Sequence, residues 1–228
     1  MPINHTDKTE QPENIFYRRR LPHYQPSEAT YFVTYRLSGS LPTEVVIRLK
    51  NEIEQLEKSS NKIITNKNPK LEIKNYYSLY FSKFDALLDE NKKGPRWMKQ
   101  PEIADLVDSA IRYRDGREYD LFTSTVMPNH VHQIFRTGIE LFPGLGGNKS
   151  HYPVTRILQS LKWYTSLEAN KMLGRRGPFW QPESYDHVVR DGRELERLLY
   201  YIINNPVKAG LVKDCRDWKW TYLKKGLL

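Results

Sequence analysis

The stretch Leu121–Arg136, LFTSTVMPNHVHQIFR, constrains this chain most, because it sets His130 and His132 one apolar residue apart in a segment that reads as strand. Side chains two apart on a strand share a face, with their Cα atoms roughly 7 Å apart. Two imidazoles on one face can hold a metal ion if a third ligand arrives from elsewhere. They can equally be buried polar residues hydrogen-bonded to backbone, with no ligand at all.

A length of 228 residues suits one well-cored domain with an elaboration. The expected division is a disordered tail over 1–14 and a single catalytic domain over 15–228. The 36 Lys and Arg against 27 Asp and Glu give a formal charge of +9, which favours a polyanionic partner. No apolar run approaches the roughly 20 residues of a membrane span, and no signal-peptide core follows Met1. The chain is therefore expected to be soluble and cytoplasmic. Its single cysteine, Cys215, excludes an internal disulfide and a multi-cysteine zinc site, which leaves N and O ligands for any metal.

Upstream of the histidines, Ile15–Tyr24 sets Arg18, Arg19 and Arg20 among aromatic residues. That mixture can grip phosphate and stack on bases, or it can be a solvated lead-in to the first strand. Tyr31–Leu37 reads as a central strand. A helix opens near Thr43, with Val46, Leu49, Ile53 and Leu56 at helical spacing, and the polar run Lys58–Lys74 breaks it into a loop. Tyr77, Tyr80, Phe81, Phe84, Leu87 and Leu88 restore a helical stripe read as core. A further helix starts at Pro101 and stops at Gly116.

Downstream, Gly138–Ser150 is glycine-rich and reads as a mobile loop; it lacks a phosphate-loop lysine motif, so no nucleotide cofactor is expected. The helix from Pro153 carries Tyr164 on its apolar stripe, while Arg156 and Lys162 fall off it and could face DNA. Arg175, Arg176, Phe179, Trp180 and Gln181 make a second basic and aromatic patch. The last helix, about Arg193 to Asn204, has Leu195, Leu198, Leu199, Ile202 and Ile203 on one stripe. Tyr201 and Asn205 lie about 40° apart beside it, and Tyr200 faces solvent. Pro206 is expected to close that helix at Asn205. From these residues alone, Tyr201 can be a boundary tyrosine and Asn205 a cap.

Met127-Pro-Asn-His-Val-His132, Gly177-Pro-Phe-Trp-Gln181, Asp186-His187-Val-Val-Arg190-Asp191 and Tyr201-Ile-Ile-Asn-Asn-Pro-Val-Lys-Ala-Gly-Leu-Val212 occur in an order and at spacings that resemble REP-associated tyrosine transposases of the HUH single-strand DNA nuclease superfamily. The resemblance runs from about Tyr17 to Tyr222. It implies an α+β fold, a ferredoxin-like antiparallel sheet flanked by helices, with inserted helices before the histidine strand. It further implies Tyr201 as the nucleophile and His130, His132 and Asn205 as ligands of Mg2+ or Mn2+; the basic and aromatic patches read above supply Arg18, Arg19, Arg20, Lys162, Arg175, Arg176, Trp180 and Gln181 as the expected DNA contacts. The implied partner is single-stranded or hairpin DNA, cut and rejoined by a nucleoid-associated bacterial monomer. A hairpin-binding relative without cleavage and a replication initiator or relaxase are the alternatives. His187 is read as a structural hydrogen-bonder or a catalytic helper. The glycine-rich loop and the Lys58–Lys74 segment depart from compact members of that family, so no DNA contact is carried over there.

Overall fold

β-branched and aromatic runs build the centre of the sheet, where alternate residues must be apolar on both faces. A computed structural model describes residues 16–18, 22–24, 26, 28–63, 82–91, 93–138 and 152–228. Its elements are β1 (Phe16–Arg18), β2 (Pro22–Tyr24), β3 (Thr30–Arg36), α1 (Thr43–Ile63), α2 (82–90), α3 (Pro101–Arg114), β4 (Asp120–Val126), β5 (His130–Arg136), α4 (Pro153–Met172), β6 (Tyr185–Val188), α5 (Gly192–Lys208) and β7 (Thr221–Leu223). β1 and β2 form a small hairpin; the main sheet has the order β6-β3-β5-β4-β7, antiparallel throughout. Without β7 this is a ferredoxin-like order. One helical connection joins β3 to β4 and another joins β5 to β6, as the sequence implied.

Alternation along β3 and β5 sorts the core. Tyr31, Val33, Tyr35, Val131 and Phe135 face α3 and α4, and Phe32 and Ile134 face α5 through Leu199 and Ile202. Thr34 pairs with His132 and Arg36 with His130, so both histidines lie on the α5 face. Among the described residues no helix is long and apolar enough to cross a membrane.

Several expectations shift. The expected tail 1–14, Arg19, Arg20, Tyr77, Tyr80, Phe81 and residues 139–150 of the glycine-rich loop lie outside the described residues. α1 continues past Lys58 to Ile63, because Ser, Asn and Lys each cost a helix only tenths of a kcal/mol where no Gly or Pro intervenes. Tyr164 is exposed rather than core; the buried stripe of α4 runs through the small residues Thr165 and Ala169 instead. α5 does not close at Asn205 but passes through a buried Pro206 to Lys208. Pro206 removes only one bond of the helical ladder. The true stop comes later: Leu211 N–H donates to Pro206 C=O and Gly210 N–H to Val207 C=O, each at 2.9 Å. That is a Schellman closure, with Gly210 at φ +67°.

A candidate metal and nucleophile centre

The turn between β4 and β5 does more than reverse the chain. Asn129 donates its side-chain N–H to Leu88 C=O at 2.8 Å, fastening α2 to the hairpin. Its Oδ1, the remaining acceptor, lies 2.7 Å from His130 Nδ1. With that amide orientation His130 Nδ1 must donate, which leaves the Nε2 lone pair free to ligate. Thr34 Oγ1 meets His132 Nδ1 at 2.7 Å and suits either tautomer. The two Nε2 atoms lie 3.1 Å apart, both rings fully buried. Burial, and then the neighbouring His132, push the His130 pKa down to about 3, so the ring is a neutral ligand at any physiological pH.

α2 supplies what the histidines lack. Asp85, fully buried, brings Oδ1 to 3.1 Å from His132 Nε2 and 3.9 Å from His130 Nε2. One donor atom from each of Asp85, His130 and His132 lies within 4.8 Å of the others. Burial raises the Asp85 pKa, but the two histidines and Lys208 outweigh it and hold the carboxyl below its usual range. Asp89, one turn on, is raised by burial and by the Asp85 charge.

The residues fit a divalent cation. Asp85 Oδ1, Asp89 Oδ1 and Asn205 Oδ1 are buried with no hydrogen-bond partner among the described residues, a costly arrangement unless something cationic sits among them. Two imidazoles and hard oxygen donors suit Mg2+ or Mn2+.

α5 delivers the tyrosine. Asp191 caps the helix, accepting from Glu194 N–H at 2.8 Å, while Glu194 accepts from Arg190 N–H at 2.9 Å and meets His187 Nε2 at 3.0 Å. His187 therefore serves as the structural hydrogen-bonder, tying β6 to α5. Tyr201 donates its hydroxyl to Asp85 Oδ2, and its ring centroid is 5.7 Å from that of His132. Phe32 packs against both rings. Asn205, fully buried, sits with Nδ2 3.4 Å from His132 Nε2 and 3.5 Å from Asp85 Oδ2. Tyr200 is half exposed, as expected.

The sequence-predicted site residues thus divide. His130, His132, Tyr201 and Asn205 come together. Asp85 was missed, although an acid beside Phe84 and Leu88 at helical spacing was its signal.

The proposed DNA contacts separate as well. Arg176 is exposed. Arg175 is half-buried, its guanidinium 3.9 Å from the Trp97 ring centroid and bonded to Asn170. Lys162 donates to Gln181 C=O, Pro182 C=O and Ser184 Oγ. Gln181, half-buried, hydrogen-bonds Arg36 C=O through its backbone. Trp180 is a correction: it is 5% exposed, with its indole N–H on Thr165 and its ring edge-on to Tyr35. No base can stack on it without opening the core. Arg18 lies in β1.

No family model matches the chain. It is 27% identical over 103 residues to a protein provisionally named REP-associated tyrosine transposase in Haemophilus influenzae, covering 42% of this chain and 54% of that one. It is 26% identical over 111 residues to the REP-associated tyrosine transposase of Escherichia coli K12, covering 49% and 58%. The chain spans just over half the length of the curated relatives it matches. A solved REP-associated tyrosine transposase bound to a REP hairpin aligns over 90% of this chain and 80% of that one, at 18% identity and a TM-score of 0.45. By sequence, then, the chain is similar to REP-associated tyrosine transposases, the family its motifs resemble.

Proposed function

We propose that this chain is a metal-dependent single-stranded DNA endonuclease and strand transferase that acts as a monomer on hairpin-containing DNA such as repetitive extragenic palindromes. The observation that carries the reading is the Tyr201 hydroxyl bound to the same Asp85 carboxylate that reaches the His130 and His132 donor atoms. A nucleophile and a cation-binding group share one residue.

His130, His132 and Asp85 would hold Mg2+ or Mn2+, with Asn205 Oδ1 the further donor. When bound, the cation offsets the charge of a phosphodiester oxygen, the chief obstacle to attack on DNA. The remaining chemistry belongs to the chain. Asp85 Oδ2 aims the Tyr201 hydroxyl and is positioned to take its proton. Tyr201 Oη then bonds to phosphorus as the P–O3′ bond breaks, and the proton taken by Asp85 passes to the departing O3′, giving a 5′-phosphotyrosine and a free 3′-hydroxyl. Because the ester keeps the bond energy, a second strand's 3′-hydroxyl can attack it, restoring the tyrosine and joining the strands. Buried Phe32 and Ile134 keep water from the inner side of the site. Arg18, Arg19, Arg20, Lys162, Arg175, Arg176 and Gln181 remain the proposed surface for the DNA backbone; of those whose side chains are described, Arg176 is the most exposed.

The test is cleavage of labelled genomic hairpin oligonucleotides with manganese, comparing wild type with His130→Ala/His132→Ala. Cleavage should disappear in the double variant while hairpin binding persists. Undiminished cleavage would rule out this centre, and binding without cleavage by wild type would favour a hairpin-binding module.

A further inference from the structure

Lys208 stands at the mouth of the site, two turns beyond Tyr201 on α5. Its Nζ lies 3.1 Å from Asp89 Oδ2 and 3.9 Å from Asp85 Oδ2, and 5.6 Å from the centroid of the Tyr201 ring. Asp85 Oδ2 is also the atom that accepts the Tyr201 hydroxyl. Ammonium and hydroxyl therefore approach one oxygen from two directions. The Lys208 side chain is 50% exposed, whereas those of Asp85 and Asp89 are 0% and 7% exposed, so the cation forms the rim over a carboxylate floor.

That floor poses an electrostatic problem for the reaction. A phosphodiester must come within about 3–3.5 Å of the Tyr201 oxygen to react, and there it faces two carboxylates of its own sign. The cation that the donor group would hold offsets part of that charge, and a positive side chain on the open side would offset more. Lys208 Nζ lies 3.9 Å from the acceptor of the reacting hydroxyl. Asp89 Oδ1 lies 3.9 Å from His130 Nε2, on the side of the donor group.

Resting on the strand-transferase reading, we propose that Lys208 binds the scissile phosphate, and that Asp89 holds its ammonium beside Tyr201 until DNA arrives. A half-exposed ion pair with no further role contributes little to stability. The same pair placed within reach of the nucleophile selects for an anionic ligand there.

The experiment measures hairpin affinity in the Tyr201→Phe background, where reaction stops at binding. Two oligonucleotides are compared: one with the natural phosphate at the cleavage position mapped from the wild-type adduct, the other with an uncharged methylphosphonate there. Lys208→Met should weaken binding of the phosphodiester by roughly ten- to a hundredfold, as for a lost charged hydrogen bond, and leave the methylphosphonate almost unchanged. Lys208→Arg should retain most of the discrimination, and Asp89→Asn should keep or tighten phosphodiester binding. Equal losses on both oligonucleotides, or none on either, would overturn the assignment of Lys208. Failure of wild type to form any adduct would instead overturn the strand-transferase reading on which it rests.

Discussion

The two oxygens of Asp85 have different neighbours: Oδ1 faces the imidazoles, and Oδ2 faces Tyr201 and Lys208. Asp85→Asn preserves the shape and removes the charge. Its manganese affinity, measured by calorimetry, should fall by more than the roughly 10–100-fold that losing an outer-shell partner costs; an unchanged affinity would remove Asp85 from the donor group. At this scale the sequence was informative about residues with a local motif around them and silent about those without. His130 and His132 announce themselves by strand spacing. Asp85 lies 45 residues upstream of His130, and its proximity depends on the Asn129 bond to Leu88, which no periodicity reveals. Trp180 was misread for a related reason: basic residues beside an aromatic ring look the same whether the ring faces solvent or, as here, fills the space between Tyr35 and Thr165.

α5 shows how an element turns local chemistry into geometry. Its Asp191 cap and the Glu194 links fix where the helix begins against β6, and the apolar stripe through Leu199 and Ile202 fixes its rotation. Together they aim Tyr201 and Asn205 at the histidines. Asp191→Ala should cost about 1 kcal/mol of stability, the usual penalty for a lost N-cap, read as a shifted urea midpoint at constant slope. No shift would mean that the cap does not anchor the helix. The stripe and the placement of Tyr201 beside it were legible in the sequence. The end of the helix was not, because Gly210 governs the stop and Pro206 is tolerated inside. The short edge strands β6 and β7, four and three residues long, carry too few side chains for an alternation to register; β3 stood out, and so did Leu121–Arg136, read as one strand-like stretch where the structure has the antiparallel pair β4 and β5.

At the scale of the molecule, the ferredoxin-like order puts β5 at the middle of the sheet, with α3 and α4 on one face and the histidines and α5 on the other. The centre is consequently dry, and dryness has a pH signature. Burial lowers the His130 pKa to about 3 and lowers that of His187 as well, while both titrate near 6.5 in the unfolded chain. As pH falls below about 6.5, the unfolded state takes up protons that the native state refuses. Stability of the metal-free protein should therefore drop, by up to about 1.4 kcal/mol per pH unit for each such histidine. Urea unfolding between pH 6.5 and 5 with chelator present measures it, and a flat or rising stability would mean that the histidines are not held neutral.

Tyr201, aimed by Asp85 at a pair of histidines that can bind a cation, is the proposed nucleophile toward DNA. The most direct test of that role is mass spectrometry of the covalent species formed on a labelled single-stranded hairpin with manganese, after the DNA is trimmed by nuclease. The expected result is a nucleotide on the peptide containing Tyr201, with no adduct from Tyr201→Phe, a variant that still binds the hairpin. An adduct on Tyr164, Tyr185 or Tyr200, or one that survives Tyr201→Phe, would contradict it.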